Sequence, residues 1–177
     1  GAALFDLPGQ ALPVQGSALS LPDHGTPALN GVYLTEGRLP VADERDEALL
    51  LDGFARARGI RPGDVVTVTQ NGNRRDLRIT GLAQAPELLY VAVPGELVPD
   101  DARFAVFWMR RAEMETAYDM DGAVNEVLIA LSRNAREAEV IDAVDRVLKP
   151  YGGLGAYGRE DHMSDRFISE EIRSLRS

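Results

Sequence analysis

The 177-residue chain contains no cysteine, a single lysine and two histidines. Without thiols there are no disulfides, no cysteine nucleophile and no thiolate metal site, and a chain without cysteine is compatible with an oxidising space outside the cytoplasm. Positive charge is scarce: Lys149 is the lone lysine, the arginines are dispersed among acids, and the net charge is −9. Nucleic acid is excluded as a partner and anionic lipid head groups are disfavoured, because neutralising phosphates needs clustered cations. No run approaches the roughly 20 apolar residues of a membrane span. Gly1-Ala2-Ala3-Leu4-Phe5-Asp6 lacks the basic start of a signal peptide, so the stretch reads as water-soluble.

What is present is ordinary in bulk, with 45% hydrophobic and 27% charged residues, enough for one domain with a full core or two small lobes. The information is local, in residues 47–81. Residues 48–51 are an apolar strand, and Asp52 is placed to cap a short helix running to Arg58. Gly59 stops that helix in the left-handed region, with Ile60 folding back on it. Pro62-Gly63-Asp64 turns the chain into the β-branched residues 65–69. Asn71-Gly72 is a two-residue hairpin signal, and residues 75–80 alternate with Leu77 and Ile79 on one face.

This order resembles the extracytoplasmic domain of FtsX/MacB-type ABC-transporter permeases. Gly37-Arg38-Leu39-Pro40, the acidic residues 43–47, Gly59-Ile60-Arg61-Pro62-Gly63-Asp64 and Ile79-Thr80-Gly81 match the family's motifs in sequence and spacing. Residues 105–109, 125–131, 140–151 and 164–175 continue the likeness over most of the chain. The resemblance implies an α+β fold of two lobes: a β-rich lobe with one short helix, and a β-α-β-α-β lobe that ends in an amphipathic stalk helix. It implies a non-enzymatic module of a membrane protein at the periplasmic face of the bacterial inner membrane. That module would couple ATP hydrolysis in a cytoplasmic ATPase subunit to export, or to mechanical control of an envelope partner. A periplasmic adaptor or membrane-fusion protein and a second permease subunit are the other implied partners. The flanking membrane spans, and the family's first helix and strand, would lie outside these residues.

Along the chain, residues 1–98 read as the β-rich lobe, with residues 1–31 as edge strands and turns and residues 88–93 as its last strand. The turn-rich residues 94–101 form the joint. Residues 99–163 read as the second lobe: strand 104–109, helix 112–118, strand 126–131, a helix opened by Asn134 and Glu137, and a strand at 156–158. Val140, Ile141, Val144, Val147 and Leu148 recur at helical spacing as a buried stripe. Residues 164–177 read as a terminal helix leading toward a membrane span. Its stripe of Phe167, Ile168, Ile172 and Leu175 is the candidate coupling interface, in the stalk position the resemblance implies. Adjacent Phe107 and Trp108 point to opposite strand faces, one into the core and one under a helix or at a contact surface.

Chemistry is sparse. Gly153-Leu154-Gly155-Ala156-Tyr157-Gly158 spells a dinucleotide fingerprint, but it follows a helix and leads toward a strand, the reverse of the context that cradles a pyrophosphate. Asp119-Met120-Asp121-Gly122 lacks the ligand count of a calcium loop and reads as a turn. The acids at 43–47 and 100–101 read as solvated loop faces. His24 reads as exposed and His162 as a cap or ion-pair partner near the last helix; neither has a partner at metal or triad spacing. No catalytic residue, cofactor site or metal site follows. A free-standing enzyme or small-ligand binder with an acidic inter-lobe cleft is the alternative, and a structural adaptor with an exposed 167–175 stripe is the third reading.

Overall fold

The computed structural model describes residues 1–88 and 101–159. It is a mixed α/β structure rich in strand, and the chain divides into two compact units, residues 1–126 and 127–177.

The first unit is built on a seven-stranded sheet of β1 (Ala2–Asp6), β2 (Val14–Leu21), β3 (Tyr33–Gly37), β4 (Glu47–Leu51), β5 (Val65–Gln70), β6 (Asn73–Gln84) and β7 (Phe104–Arg110). Their order is β3-β6-β4-β7-β2-β1-β5, and β5 also pairs with β6, so six strands close into a barrel. The length of β6 makes this work. Residues 73–78 pair with β5, residues 81–84 pair with β3, and its other edge carries β4 in parallel. β3 is thereby left outside the barrel.

Alternation along each strand fills the interior. Ala3 and Phe5, Val66 and Val68, Leu77 and Ile79, and Ala105 and Phe107 are all buried. α1 (Asp52–Arg58) adds Phe54 to them. Phe5 stands edge-on to Phe107 at 5.2 Å and to Phe54 at 5.9 Å between centroids, both favourable arrangements of the ring quadrupoles.

The turns that the sequence marks are present. Gly59 has φ +69°, and the N–H groups of Gly59 and Ile60 donate to Arg56 O and Ala55 O, the paired bonds of a Schellman stop. Asn71 and Gly72 both have positive φ between Gln70 and its partner Asn73, as a type I′ hairpin requires. The Asp64 N–H donates to Arg61 O, and the Asp64 carboxylate accepts from the Arg61 N–H, so the Pro62-Gly63 turn is bonded at both ends.

Several expectations are corrected. Residues 1–31 supply β1 and β2, which are not edges: each is paired on both sides, β2 in parallel with β7. The strand at 104–109 does not open a second lobe; β7 pairs with β2 and β4 and is part of the barrel wall. A pairing between segments some 90 residues apart leaves no local signal. Both Phe107 and Trp108 are buried, Phe107 against Phe5 and Trp108 on the outer face opposite Leu19 and Leu49. Asp52 is not a cap: it is the first helical residue, and Leu51 at the cap position makes no side-chain bond.

In the second unit, α3 (Glu137–Leu148) stands where the periodicity puts it, but Asn134 does not cap it. None of its stripe is buried, and Val147 is exposed. Residues 126–131 and 156–158 are irregular and form no strand, contrary to the expectation. The expected boundary at 98/99, most of the expected strand at 88–93 and the terminal helix from Ser164 lie outside the described residues.

Candidate functional site

Charged groups pin the strands and loops of the barrel unit. Arg38, just after β3, grips Glu47 at the start of β4 with both Nη atoms, one at 2.8 Å, and the Val41 N–H donates to the same carboxylate at 3.0 Å. Glu47 is buried while Arg38 is half exposed. The Arg38 hydrogen bond, reinforced by that of Val41 against the opposing effect of burial, holds the Glu47 carboxyl below its ordinary value. Asp52 is arranged in the same way. It accepts from Arg56 Nε at 2.8 Å and from the Thr35 hydroxyl at 2.7 Å, and its carboxyl is likewise lowered, chiefly by Arg56. Arg75 bridges Asp46 and Glu113, tying the 41–47 loop to α2 (Arg111–Tyr118). The acids of the 43–47 loop are thus not all solvated: Asp46 and Glu47 are structural partners.

Both shifts are downward, so their stabilisation is complete above the ordinary carboxylate values of 4.5 and 3.8 and is lost as pH falls through the lowered folded values. Denaturation midpoints from pH 7 to pH 3 should therefore fall more steeply for the natural protein than for Glu47→Gln. The difference expected is of order 1 kcal/mol, limited by the exposure of Arg38. Parallel curves would remove Glu47 from the acid response.

Arg110, at the end of β7, is buried and bonded to backbone. Its Nε donates to Pro40 O at 2.8 Å, and Nη1 donates to Gly25 O at 3.0 Å and to Pro22 O. The same loop places Asp23 Oδ1 2.9 Å from the Ala112 N–H, so a residue far away in sequence serves the start of α2. His24 between them is exposed. At one end of the barrel, Gln70 Nε2 donates to Tyr118 OH at 3.4 Å, and Tyr118 OH donates to Ala2 O at 2.8 Å.

Beside α1 lies an open groove of about 490 Å³ lined by Glu36, Arg56, Gly59, Ile60, Arg61 and Leu82. Ile60 and Leu82 are its buried apolar floor; the two arginines and Glu36 are its charged rim. Among these lining residues there is no nucleophile with an adjacent base. Among the described residues, no group of three His, Asp or Glu side chains could hold a metal ion. Asp119 ends α2 in the left-handed region and accepts from Asn71 Nδ2 at 3.0 Å, as a turn residue does. Residues 153–158 are irregular and follow the helical residues 137–151, so the glycine fingerprint does not follow a strand as a phosphate-binding loop does.

The candidate interface residues Phe167, Ile168, Ile172 and Leu175, and also His162, lie outside the described residues. What the sequence reading missed is the pinning: Arg38 with Glu47, Arg75 with Asp46 and Glu113, and Arg110 with three carbonyls. Only the Arg56 and Asp52 pair, four apart on one helix, carried a readable signal. No protein-family model matches the chain, and no curated protein is similar to it.

Proposed function

We propose that this chain is the extracytoplasmic domain of an FtsX/MacB-type ABC-transporter permease. In this reading it does no chemistry of its own. It transmits motion between a cytoplasmic ATPase subunit, reached through flanking membrane spans, and a partner or cargo at the periplasmic face of the inner membrane. A periplasmic adaptor and a second permease subunit are its further partners. The barrel unit is the β-rich lobe, and the unit that starts at residue 127 belongs to the second lobe.

The observation that carries the reading is the segment from Gly37 to Gly81. The motifs that resemble the family follow one another there as strand, Schellman-stopped helix, PGD turn and type I′ hairpin. Those residues are absorbed in making the strands, helix and turns of the barrel unit. The side chains around them form ion pairs and backbone bonds, the arrangement suited to a rigid transmitting body.

The complete reading frame tests this first. Apolar runs of about 20 residues outside both ends are expected, and polar flanks would contradict the proposal. The second test addresses the candidate coupling stripe. In the intact permease, Ile172→Ser with Leu175→Ser should abolish transport, or control of the partner, while the 177-residue domain keeps its thermal midpoint. A fall in that midpoint would assign the stripe to the domain's own core.

A further inference from the structure

β3 lies at the end of the strand order and, among the described residues, pairs only with β6. All five of its residues are exposed, Tyr33 by 64% and Leu34 by 42%. An edge of this kind offers a row of backbone N–H and C=O groups to another strand, and natural proteins guard such edges with lysine, proline or a covering element. Tyr33-Leu34-Thr35-Glu36-Gly37 contains neither lysine nor proline. A bulge between Leu34 and Glu36 turns the strand without leaving it loose. The Thr35 hydroxyl at the bulge lies 2.7 Å from Asp52 Oδ1 and 3.1 Å from Leu82 O, and Arg38 just beyond the strand holds Glu47. An edge fixed in advance loses little further freedom when a partner binds.

The groove beside α1 opens at the Glu36 end of this edge. Glu36 lines it, and Leu82, the register partner of Glu36 on β6, forms its floor with Ile60. Such a floor suits one apolar side chain of an added strand, the kind of pocket that gives strand addition its specificity. The rim carries uncommitted positive charge. Arg61 is exposed, and its guanidinium has no hydrogen-bond or ion-pair partner among the described residues. Arg56 is also exposed and commits only its Nε, to Asp52. Glu36 is the one acid among the lining residues. In a chain of net charge −9, two guanidiniums with spare donors beside an open sheet edge are complementary to a carboxylate.

We infer that β3 and the adjoining groove form a docking site for an extended segment of another protein, which adds a strand to the free edge of β3. The segment carries an apolar residue over Ile60 and Leu82 and, two residues away, an acidic residue at Arg61. That spacing follows from strand geometry, since side chains two apart share a face. A single acid fits and a run of acids does not, because the net charge of −9 repels a strongly acidic segment at longer range. The same charge opposes a second copy of this chain as the occupant. Neither the edge nor the groove depends on the permease assignment, so each can fail without the other.

A synthetic peptide with that pattern, acetyl-Thr-Val-Thr-Leu-Thr-Glu-Thr-amide, tests the site by nuclear magnetic resonance on the protein. With peptide at millimolar concentration, the β3 amides that exchange fast in the free protein should slow by about ten-fold or more, while the amides of β1 and β5 keep their rates. Arg61→Glu, an exposed substitution, should weaken binding of this peptide by about ten-fold or more. A second peptide with Lys in place of Glu should bind that variant more tightly than it binds the natural protein. An absence of slowing at β3 with millimolar peptide would overturn the inference. Equal affinity of the first peptide for the natural protein and for Arg61→Glu would do the same, as would slowing that grows with protein concentration when no peptide is present, the mark of a second copy.

Discussion

Phe107→Ala is expected to destabilise the protein by about 3–5 kcal/mol and lower its thermal midpoint by about 10–20 °C. The ring is fully buried and meets Phe5 edge to face, and Phe5 in turn meets Phe54 from α1. Removing it empties the point where three elements converge: β1, β7 and the helix. A closed barrel has no free edge along which its strands can shift to refill the space. Val65→Ala, on the solvent side of β5 and 58% exposed, is the control and should change stability by less than about 0.5 kcal/mol. Chemical denaturation of the two variants makes the comparison. A cost below about 1 kcal/mol for Phe107→Ala would mean that the aromatic cluster is not the centre of the core.

Gly37→Ala should cost about 2–4 kcal/mol, more than any substitution of similar size in a turn. Gly37 has φ +78°, and a Cβ there would run into Thr80 O and stand 2.8 Å from Gly81 Cα, both backbone atoms that cannot rotate away. The same Thr80 carbonyl accepts from the Arg38 N–H at 2.9 Å, so a displaced backbone also disturbs the arginine that grips Glu47. Gly72→Ala separates the two effects. Gly72 has φ +77° with open space around its missing Cβ, so the substitution carries the conformational strain alone, about 1 kcal/mol. Equal costs at the two positions would show that close approach at Gly37 is unimportant.

The turns are legible in the sequence because each is written in one or two residues: Gly59 for the helix stop, Asn71-Gly72 for the hairpin, Pro62-Gly63 between helix and strand. The alternation of Leu77 and Ile79 is legible for the same reason, since it needs only its own neighbours. Closure of the barrel is not. It depends on β2 lying parallel to β7, on β1 pairing with β5, and on β6 carrying β3 beyond its hairpin with β5, and outside that hairpin no residue announces its partner. Without that closure, the strand at 104–110 groups naturally with the helices that follow it. The stripe of α3 marks a face that needs covering, although periodicity cannot say what covers it. The pinning side chains escape because Glu47 and Asp46 look like any acidic loop until Arg38 and Arg75 are brought beside them. No active site is legible in the sequence, and the groove beside α1 contains no nucleophile and base to suggest one.

The chain's lack of cysteine makes a direct test of the central claim simple, since one introduced thiol is unique within these residues. His24→Cys, at an exposed loop position of the full-length protein, can be labelled in intact bacterial cells whose outer membrane has been made permeable, using a thiol reagent that cannot cross the inner membrane. The expected result is that the protein fractionates with the inner membrane and that the thiol introduced at position 24 reacts before the cells are lysed. A protein found in the soluble fraction, or a thiol that reacts only after lysis, would contradict the assignment to the periplasmic face.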